Sequence, residues 1–284
     1  MKYSPSPLRY PGGKTSIYKM VSDIIDCHEH QFSEYAEPYA GGCGLALSLL
    51  LNGVVDELHL NDIDLSIASL WQCIVEQPNE LIDRISSTNI NMEEWYKQKK
   101  IQESKESQTV VDLAFSTLYL NRTNHSGIIK GGVMGGKNQN GAYKIDCRFN
   151  KAALIEKINK IALKESKIYI YNMDAIKFIE KLESIELSKP LLMVDPPYYN
   201  KGQTLYTNFY NHDDHAAISK KLAKTDLPWL LTYDNTPEIS DLYKEFAQYQ
   251  FDINYSAAKK RVGNELFIIS PHFGSVEHER LKIA

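Results

Sequence analysis

Short apolar runs alternate with longer amphipathic stretches over most of the chain. The clearest run is Pro190–Val194, which is too short for a helix and is followed by Asp195 and two prolines, as expected of a buried strand. Stretches with helical spacing separate most of these runs, and that alternation predicts an α/β sheet whose last two strands form an antiparallel pair. The other predicted strands are residues 32–38, 57–60, 167–171, 229–233, 251–255 and 265–269.

The pattern changes between about residue 65 and residue 150. Residues 65–120 have helical spacing with charged faces, and residues 126–137 are rich in glycine, which suits a surface loop better than a core. The simplest organisation is one α/β domain built from residues 1–64 and 151–284, with residues 65–150 inserted into it.

Composition places the chain among ordinary globular proteins. It has 284 residues, of which 43% are hydrophobic and 24% are charged, and it has no apolar stretch long enough to span a bilayer. The first residues lack the layout of a secretory signal. The four cysteines are scattered without C-x-x-C spacing, so we expect reduced thiols, a cytoplasmic location, and neither a metal site nor a membrane partner.

The formal net charge of −4 does not by itself suggest a polyanionic partner, but the charge is unevenly distributed. Residues 121–151 contain six basic residues and a single acidic one, Asp146. Such a segment can bind nucleic-acid phosphates on a mildly acidic protein, or it can be a solvated cationic loop. The basic residues are Arg122, Lys130, Lys137, Lys144, Arg148 and Lys151.

The tetrapeptide Asp195-Pro196-Pro197-Tyr198 directly follows a predicted strand. Two prolines cannot extend a central strand because neither supplies a backbone N–H, so the chain must leave the sheet in a stiff turn. Asp195 and the Pro196 carbonyl could accept the two hydrogens of an exocyclic amine, and Tyr198 could stack on the base that carries it. The alternative is an ordinary turn at the end of a strand.

A second group of polar residues follows the other predicted strands. Gly41 and Gly42 lie between the first strand and a helix, where glycine lets the backbone approach a ligand, although a full G-x-G-x-x-G pattern is absent. Asp62 and Asp174 end the next two strands and could bind ribose hydroxyls and an adenine amine. Each acid could instead be a turn residue or a helix N-cap.

The amino-terminal segment 6–14 combines an aromatic side chain with a cation. One interpretation is a flexible arm. The other places Tyr10 and Lys14 against the pocket at the strand ends, closing it from outside the sheet.

Taken together and in order, these motifs resemble the Dam-type adenine DNA methyltransferases, the alpha group of amino-methyltransferases that use S-adenosylmethionine. The resemblance implies a Rossmann-like seven-stranded methyltransferase sheet as the catalytic domain and a mostly helical target-recognition insert. It also implies cofactor contacts from Tyr10, Lys14, Glu37, Gly41, Gly42, Asp62, Asp174 and Asp195. The motifs are residues 8–14, 37–42, 61–62, 118–123 and 195–198.

The resemblance implies methyl transfer to the exocyclic 6-amino group of an adenine flipped out of duplex DNA, with Asp195, Pro196 and Tyr198 as catalytic residues. Cytosine 4-amino methylation, RNA adenine methylation, methylation of a protein amide and a non-catalytic nucleic-acid-binding module are the alternatives. We further expect a monomer or weak dimer associated with the nucleoid. The sequence leaves the biological role open between a restriction–modification system, a phage function and regulation. Candidate DNA contacts are Arg122, Asn124, Lys130, Lys137, Lys144 and Arg148.

Two departures from the family pattern are visible. Tyr10 stands where some members have Trp, and His125-Ser126 replaces the more usual Phe-Asn. These differences leave the recognition sequence open, with GATC as the family's example. Elsewhere, His212-Asp213-Asp214-His215 invites comparison with a metal site, but its place after Asn211 favours helix capping.

Overall fold

The computed structural model describes residues 4–10, 13–28, 32–200, 210–255 and 261–284, without the side chains of 254–262. Pro11, Gly12 and the Lys259-Lys260 part of the last connection therefore lie outside the described residues. Within them, an eight-stranded mixed sheet runs through the protein. Its strands are β1 (Glu34–Glu37), β2 (Glu57–Asn61), β3 (Ile168–Tyr171), β4 (Pro190–Val194), β5 (Trp229–Asp234), β6 (Ala247–Tyr255), β7 (Arg261–Ile269) and β8 (Lys282–Ile283).

The strand order is β3-β2-β1-β4-β5-β7-β6-β8. The first five strands are parallel, and β7 runs antiparallel between β5 and β6. The predicted α/β class and the antiparallel pair are confirmed. The expected count of seven is not, because the two-residue strand β8 adds to the edge beside β6.

Helices cover both faces of the sheet, which explains why β4 and β5 are apolar without alternation. Consecutive residues belong to different cores: Leu191 and Met193 face one, while Leu192 and Val194 face the other. The helices are α1 (Tyr18–Cys27), α2 (Gly44–Leu51), α3 (Leu65–Glu76), α4 (Pro78–Ser87), α5 (Met92–Glu103), α6 (Val110–Thr123), α7 (Lys151–Ala162), α8 (Ala175–Glu183), α9 (His212–Leu222) and α10 (Pro237–Leu242).

The segment between residues 65 and 150 is helical as far as Thr123, as its spacing predicts. Helices α3 to α6 do not enclose a core of their own. Their buried side chains join those of α1, α2, α7 and the sheet in one continuous apolar cluster. The proposed domain boundaries at residues 65 and 150 therefore coincide with no break in packing.

Side-chain caps fix where several helices begin. Asp64, Asn91, Thr109 and Asn150 each accept a backbone N–H in the first turn of the helix that follows. Asn211 does the same for α9 in a reciprocal box with Asp214, so the capping interpretation of the 212–215 segment is confirmed. None of the helices in the described residues is long and apolar enough to cross a membrane.

Candidate active site

Four carboxylates lie at the carboxyl ends of four adjacent parallel strands. Glu37 ends β1, Asp62 follows β2, Asp174 follows β3 and Asp195 follows β4. In the sheet these strands stand side by side in the order β3-β2-β1-β4, so the topology collects the four acids along one edge.

The loop after β1 is held in a strained shape by its neighbours. Gly41 has φ +46° and Cys43 has φ +48°, both in the left-handed region. The Asp62 carboxylate accepts the Gly41 N–H at 2.9 Å, and Trp71 Nε1 donates to the Gly41 carbonyl at 2.8 Å. Asp62 thus shapes the loop that the sequence predicted it to lie beside.

Tyr10 packs directly on this loop. A Cβ built on Gly41 would lie 2.7 Å from Tyr10 Cε1, and one on Gly42 would lie 2.6 Å from Tyr10 Cβ. A side chain at either position would therefore collide with Tyr10, which explains why both positions are glycine. This places Tyr10 against the strand ends, in agreement with the second interpretation of the amino-terminal segment.

Asn121, on α6, clamps the segment that carries Tyr10. Its side-chain oxygen accepts from the Arg9 N–H at 2.8 Å, and its amide donates to the Arg9 carbonyl at 2.9 Å and the Gly127 carbonyl at 2.8 Å. Gly127 is required there because a Cβ would lie 2.1 Å from the Arg9 oxygen. One buried amide therefore joins the arm, α6 and the glycine-rich loop.

Asp195 uses one carboxylate oxygen for the protein and leaves the other available. Lys14 Nζ lies 2.8 Å from Oδ1, and Thr232 Oγ1 donates to Oδ1 at 2.9 Å. Within the described residues, no hydrogen bond reaches Oδ2 of Asp195 or the carbonyl of Pro196. Burial raises the pKa of Asp195, the Lys14 charge lowers it, and the Glu265 charge raises it.

The structure corrects the stacking role predicted for Tyr198. The ring is 2% exposed, so it presents no open face to a base. Its hydroxyl donates to the buried carboxylate of Glu265 and accepts from Lys14 Nζ at 3.1 Å. Tyr198 therefore belongs to a network behind Asp195, because its ring is packed inside the protein and its polar end is held by two charged groups.

Burial perturbs two further acids at this edge. It raises the pKa of Glu37 to about 8, against the hydrogen bond from the Tyr35 hydroxyl at 3.0 Å, which lowers it. It raises the pKa of Asp62 to about 7, although the backbone N–H groups of Asp64 and Gly41 lower it. Perturbed acids at the end of a sheet are a mark of functional sites.

Asp174 is a helix N-cap, the alternative role considered from the sequence. Its Oδ1 accepts the N–H groups of Ile176 and Lys177 and so caps α8. It is also close enough to Tyr210 for its charge to raise the pKa of that phenol, after the larger effect of burial.

Two residues position the site in ways that the sequence did not predict, although Asn61 belongs to one of its motifs. Asp234, at the end of β5, accepts the N–H groups of Tyr199 at 2.8 Å and Asn200 at 3.1 Å, and so fixes the chain as it leaves the Asp195 turn. Asn61 bonds Pro38 and Met173, joining the ends of β1 and β3. The sequence feature that could have identified both residues is their position at the ends of predicted strands.

Comparison with known proteins agrees with this arrangement. The family model of the D12 class of N6 adenine-specific DNA methyltransferases matches residues 10–259. The chain belongs to this family. It is therefore an enzyme that methylates N6 of adenine in DNA.

Other comparisons add little to this assignment. No curated protein sequence matches the chain. Among solved structures, the rRNA methyltransferase AviRa from Streptomyces viridochromogenes is similar at 11% identity, with 93% of this chain and 88% of that one covered. The TM-score is 0.37, so the family assignment rests on the family model alone.

One of the DNA contacts predicted for this methyltransferase is wrong. Asn124 is 0% exposed. Its oxygen accepts from Trp95 Nε1 at 2.7 Å, and its amide donates to the Ile128 and Ile129 carbonyls at 3.0 and 2.9 Å. All of its hydrogen-bonding groups serve the insert, so none is left to face DNA.

The other candidates lie at the surface of the methyltransferase. Lys130, Lys137 and Arg148 are exposed, and Lys144 is exposed with its amine on the Gln139 carbonyl at 2.6 Å. Arg122 is partly buried and donates to the Arg148 carbonyl at 2.8 Å.

Four basic side chains, Arg9, Arg122, Arg148 and Lys157, gather where the arm meets the insert. Burial, with smaller contributions from Arg9 and Arg148, lowers the pKa of Arg122 to about 10. Burial followed by Arg148 lowers the pKa of Arg9, whose Nη1 is buried without a hydrogen-bond partner. None of the four forms an ion pair with a carboxylate of the described residues, so this cluster suits an anion.

Proposed function

We propose that this enzyme transfers a methyl group from S-adenosylmethionine to N6 of an adenine swung out of duplex DNA, at Asp195. The observation that carries the proposal is that the two carboxylate oxygens of Asp195 have different surroundings. Oδ1 is anchored by Lys14 and Thr232, while Oδ2 and the neighbouring Pro196 carbonyl stay available to accept hydrogens.

The residues at the strand ends suit this methyl donor. When bound, S-adenosylmethionine supplies a methyl group activated by a positively charged sulfonium. Glu37, Asp62, Asp174 and Asp195 offer oxygen acceptors to its hydroxyl and amino groups, and those of them that are ionised offer negative charge to a cationic molecule. Tyr10 adds an aromatic face above the glycine loop. The chemistry of these side chains fits the donor, and Lys14 would hold Asp195 between donor and base.

Asp195 and the Pro196 carbonyl orient the reacting nitrogen. The adenine amine is a poor nucleophile because its lone pair is delocalised into the ring. Two acceptors that take both hydrogens favour a pyramidal nitrogen whose lone pair is free to attack the methyl carbon. Positioning and fixed negative charge near the developing positive nitrogen supply most of the acceleration, and Asp195 is placed to receive the proton that this nitrogen must lose.

Contacts outside the pocket would hold the DNA. The base must leave the stack to reach Asp195, at a cost of a few kcal/mol. Arg9, Arg122 and Arg148 stand beside the arm that carries Tyr10, so a phosphate bound there would lie near the pocket. Lys130, Lys137 and Lys144 would add contacts along residues 65–150, which we propose as the target-recognition insert. Phosphate contacts position the DNA but do not read its sequence.

The test is to incubate duplex DNA with the enzyme and donor and to identify the modified nucleoside after digestion. Release of N6-methyl-2′-deoxyadenosine from the DNA supports the proposal. A modified cytosine, or modification of RNA alone, would favour the corresponding alternative. Asp195→Ala should abolish methylation while donor binding is weakened or kept, and near-normal turnover in that variant contradicts the mechanism.

We also propose where the enzyme acts, in which oligomeric state and in which biological role. The DNA substrate and the four free cysteines support action in the cytoplasm at the nucleoid. The enzyme would act there as a monomer or weak dimer, with a restriction–modification system, a phage function and regulation as the candidate roles. Long-read mapping of methylated adenines in an expressing host would give the recognition sequence.

A further inference from the structure

We propose that Glu265 is a positioning residue for methyl transfer, which holds Lys14 and Tyr198 in the places that keep Asp195 turned toward the amine of the target base. The inference rests on the proposed function of Asp195. It concerns a residue on β7, far along the chain from the Asp195 turn and outside every motif that the sequence suggested.

Glu265 lies in the middle of β7, between β5 and β6. It pairs with Asp234 on β5 and with Phe251 on β6, and it is 0% exposed. A carboxylate in such a place is strongly unfavourable unless charges and hydrogen bonds compensate for its lost hydration. The buried Glu265 carboxylate therefore needs charged or hydrogen-bonding partners, and those partners belong to the active site.

Two of those partners are Lys14 and Tyr198. Lys14 Nζ lies 3.5 Å from Glu265 Oε2, and the Tyr198 hydroxyl donates to Glu265 Oε1. The same ammonium reaches Asp195 Oδ1 at 2.8 Å, so one cation is shared by the two carboxylates. It also lies 5.1 Å from the centre of the Tyr198 ring.

This sharing fixes the direction of Asp195. Lys14 is 6% exposed and has a carboxylate on either side, so its ammonium is held between them. Because it meets Asp195 at Oδ1, together with Thr232, Oδ2 takes no hydrogen bond from the described residues and can accept one from the target base. Without the Glu265 charge, Lys14 and Tyr198 would each lose one of the contacts that fix their positions, and Asp195 could rotate with them.

The Glu265 charge also acts on Asp195 directly. Burial raises the pKa of Asp195, Lys14 lowers it and Glu265 raises it. Removing the Glu265 charge should therefore lower the pKa of Asp195, and the acidic limb of the pH–rate profile should move to lower pH. Among the residues that the structure describes, the other groups that act on Asp195 are Lys14 before α1, Tyr35 and Glu37 on β1, and Thr232 and Tyr233 on β5.

The experiment compares wild-type enzyme with Glu265→Gln, which keeps the shape and removes the charge. We expect kcat to fall roughly 10- to 100-fold, because small misplacements of a catalytic group have effects of that size. Affinities for donor and for duplex DNA, measured by titration, should stay within about 3-fold, since Glu265 touches neither in the proposed complex. The acidic limb should move to lower pH.

Two further variants separate positioning from folding. Ser270→Ala removes the hydrogen bond that Trp229 N–H donates to Ser270 Oγ at the opposite end of β7, so it disturbs the same strand away from the site. It should lower stability without changing kcat or the pH profile. Tyr198→Phe removes the hydroxyl between Lys14 and Glu265, and its effect on kcat should not add to that of Glu265→Gln, because both act through one contact.

The outcomes are distinct. If wild-type enzyme methylates adenine but Glu265→Gln has the same kcat and pH profile, the positioning role is refuted while the proposed function stands. If Ser270→Ala lowers kcat as much as Glu265→Gln does, the loss comes from a structural defect of β7, which also refutes the positioning role. Failure of wild-type enzyme to modify adenine contradicts the proposed function itself.

Discussion

The Asn121 clamp gives the sharpest prediction. Asn121→Ala removes three hydrogen bonds at a residue that is 1% exposed, two of them to Arg9 beside Tyr10. Each such bond contributes roughly 0.5–1.5 kcal/mol net, so we expect the free energy of unfolding to fall by about 1.5–4.5 kcal/mol. The arm that carries Tyr10 should lose its attachment to α6.

Loss of this attachment should weaken binding of the methyl donor. If Tyr10 forms part of the donor site, the free arm must be ordered again on binding. Ordering the backbone of one residue costs about 1–2 kcal/mol, and loosening one or two residues should weaken donor affinity by about 10- to 100-fold. Isothermal titration of the donor, with thermal unfolding of the same samples, measures both effects.

Asn124→Ala is the matched control. Asn124 is also buried, and its side chain also makes three hydrogen bonds, but all of them are to Trp95, Ile128 and Ile129. It should lower stability by a similar amount and leave donor affinity unchanged at a temperature where both variants are folded. Equal donor affinities for the two variants would refute the idea that the clamp serves the donor site.

Three other changes test separate parts of the structure. Neutralising Lys130, Lys137 and Lys144 together should weaken duplex binding and reduce the slope of log K against log salt by up to about 2.7; an unchanged slope removes them from the interface. Glu37→Gln should make stability less dependent on pH, because the folded-state pKa of about 8 lies above the ordinary value of 4.5. The stability that protonated Glu37 provides is present below about pH 4.5 and is lost as pH rises to about 8, so the Tm advantage of the variant should grow over that range and level off above it. Asp174→Ala should cost about 1 kcal/mol through loss of the α8 cap, whereas Asp174→Asn should keep stability and lose donor affinity; equal donor affinity for Asp174→Asn and wild type would leave Asp174 with the cap alone.

Local patterns were enough to predict most of the sheet. Short apolar runs bounded by turn residues located β4, β5 and β7, because strands buried on both faces must be continuously apolar. The same reasoning placed Asp195 at the end of β4, since two prolines cannot continue a strand. The helical part of residues 65–150 also followed from spacing. The eighth strand did not, because two residues carry no periodicity.

The roles of individual side chains were harder to predict. Asn124 belongs to a polar segment near basic residues, which suggested DNA, yet its burial against Trp95 gives it a structural role. Tyr198 sits in a motif that suggested base stacking, but its ring is packed inside. In both cases the residue type was compatible with two environments, and only packing distinguished them.

By itself, the sequence determined the order of the strands along the chain, the stiff corner at Asp195 and the acids at the strand ends, because each depends on neighbours within a few residues. Tertiary structure alone decided what those acids meet. Asn121 bonds Arg9 from 112 residues away, and Tyr198 bonds Glu265 from 67 residues away. Such contacts depend on how the strands are ordered across the sheet, and no local pattern of apolar and polar residues encodes that order.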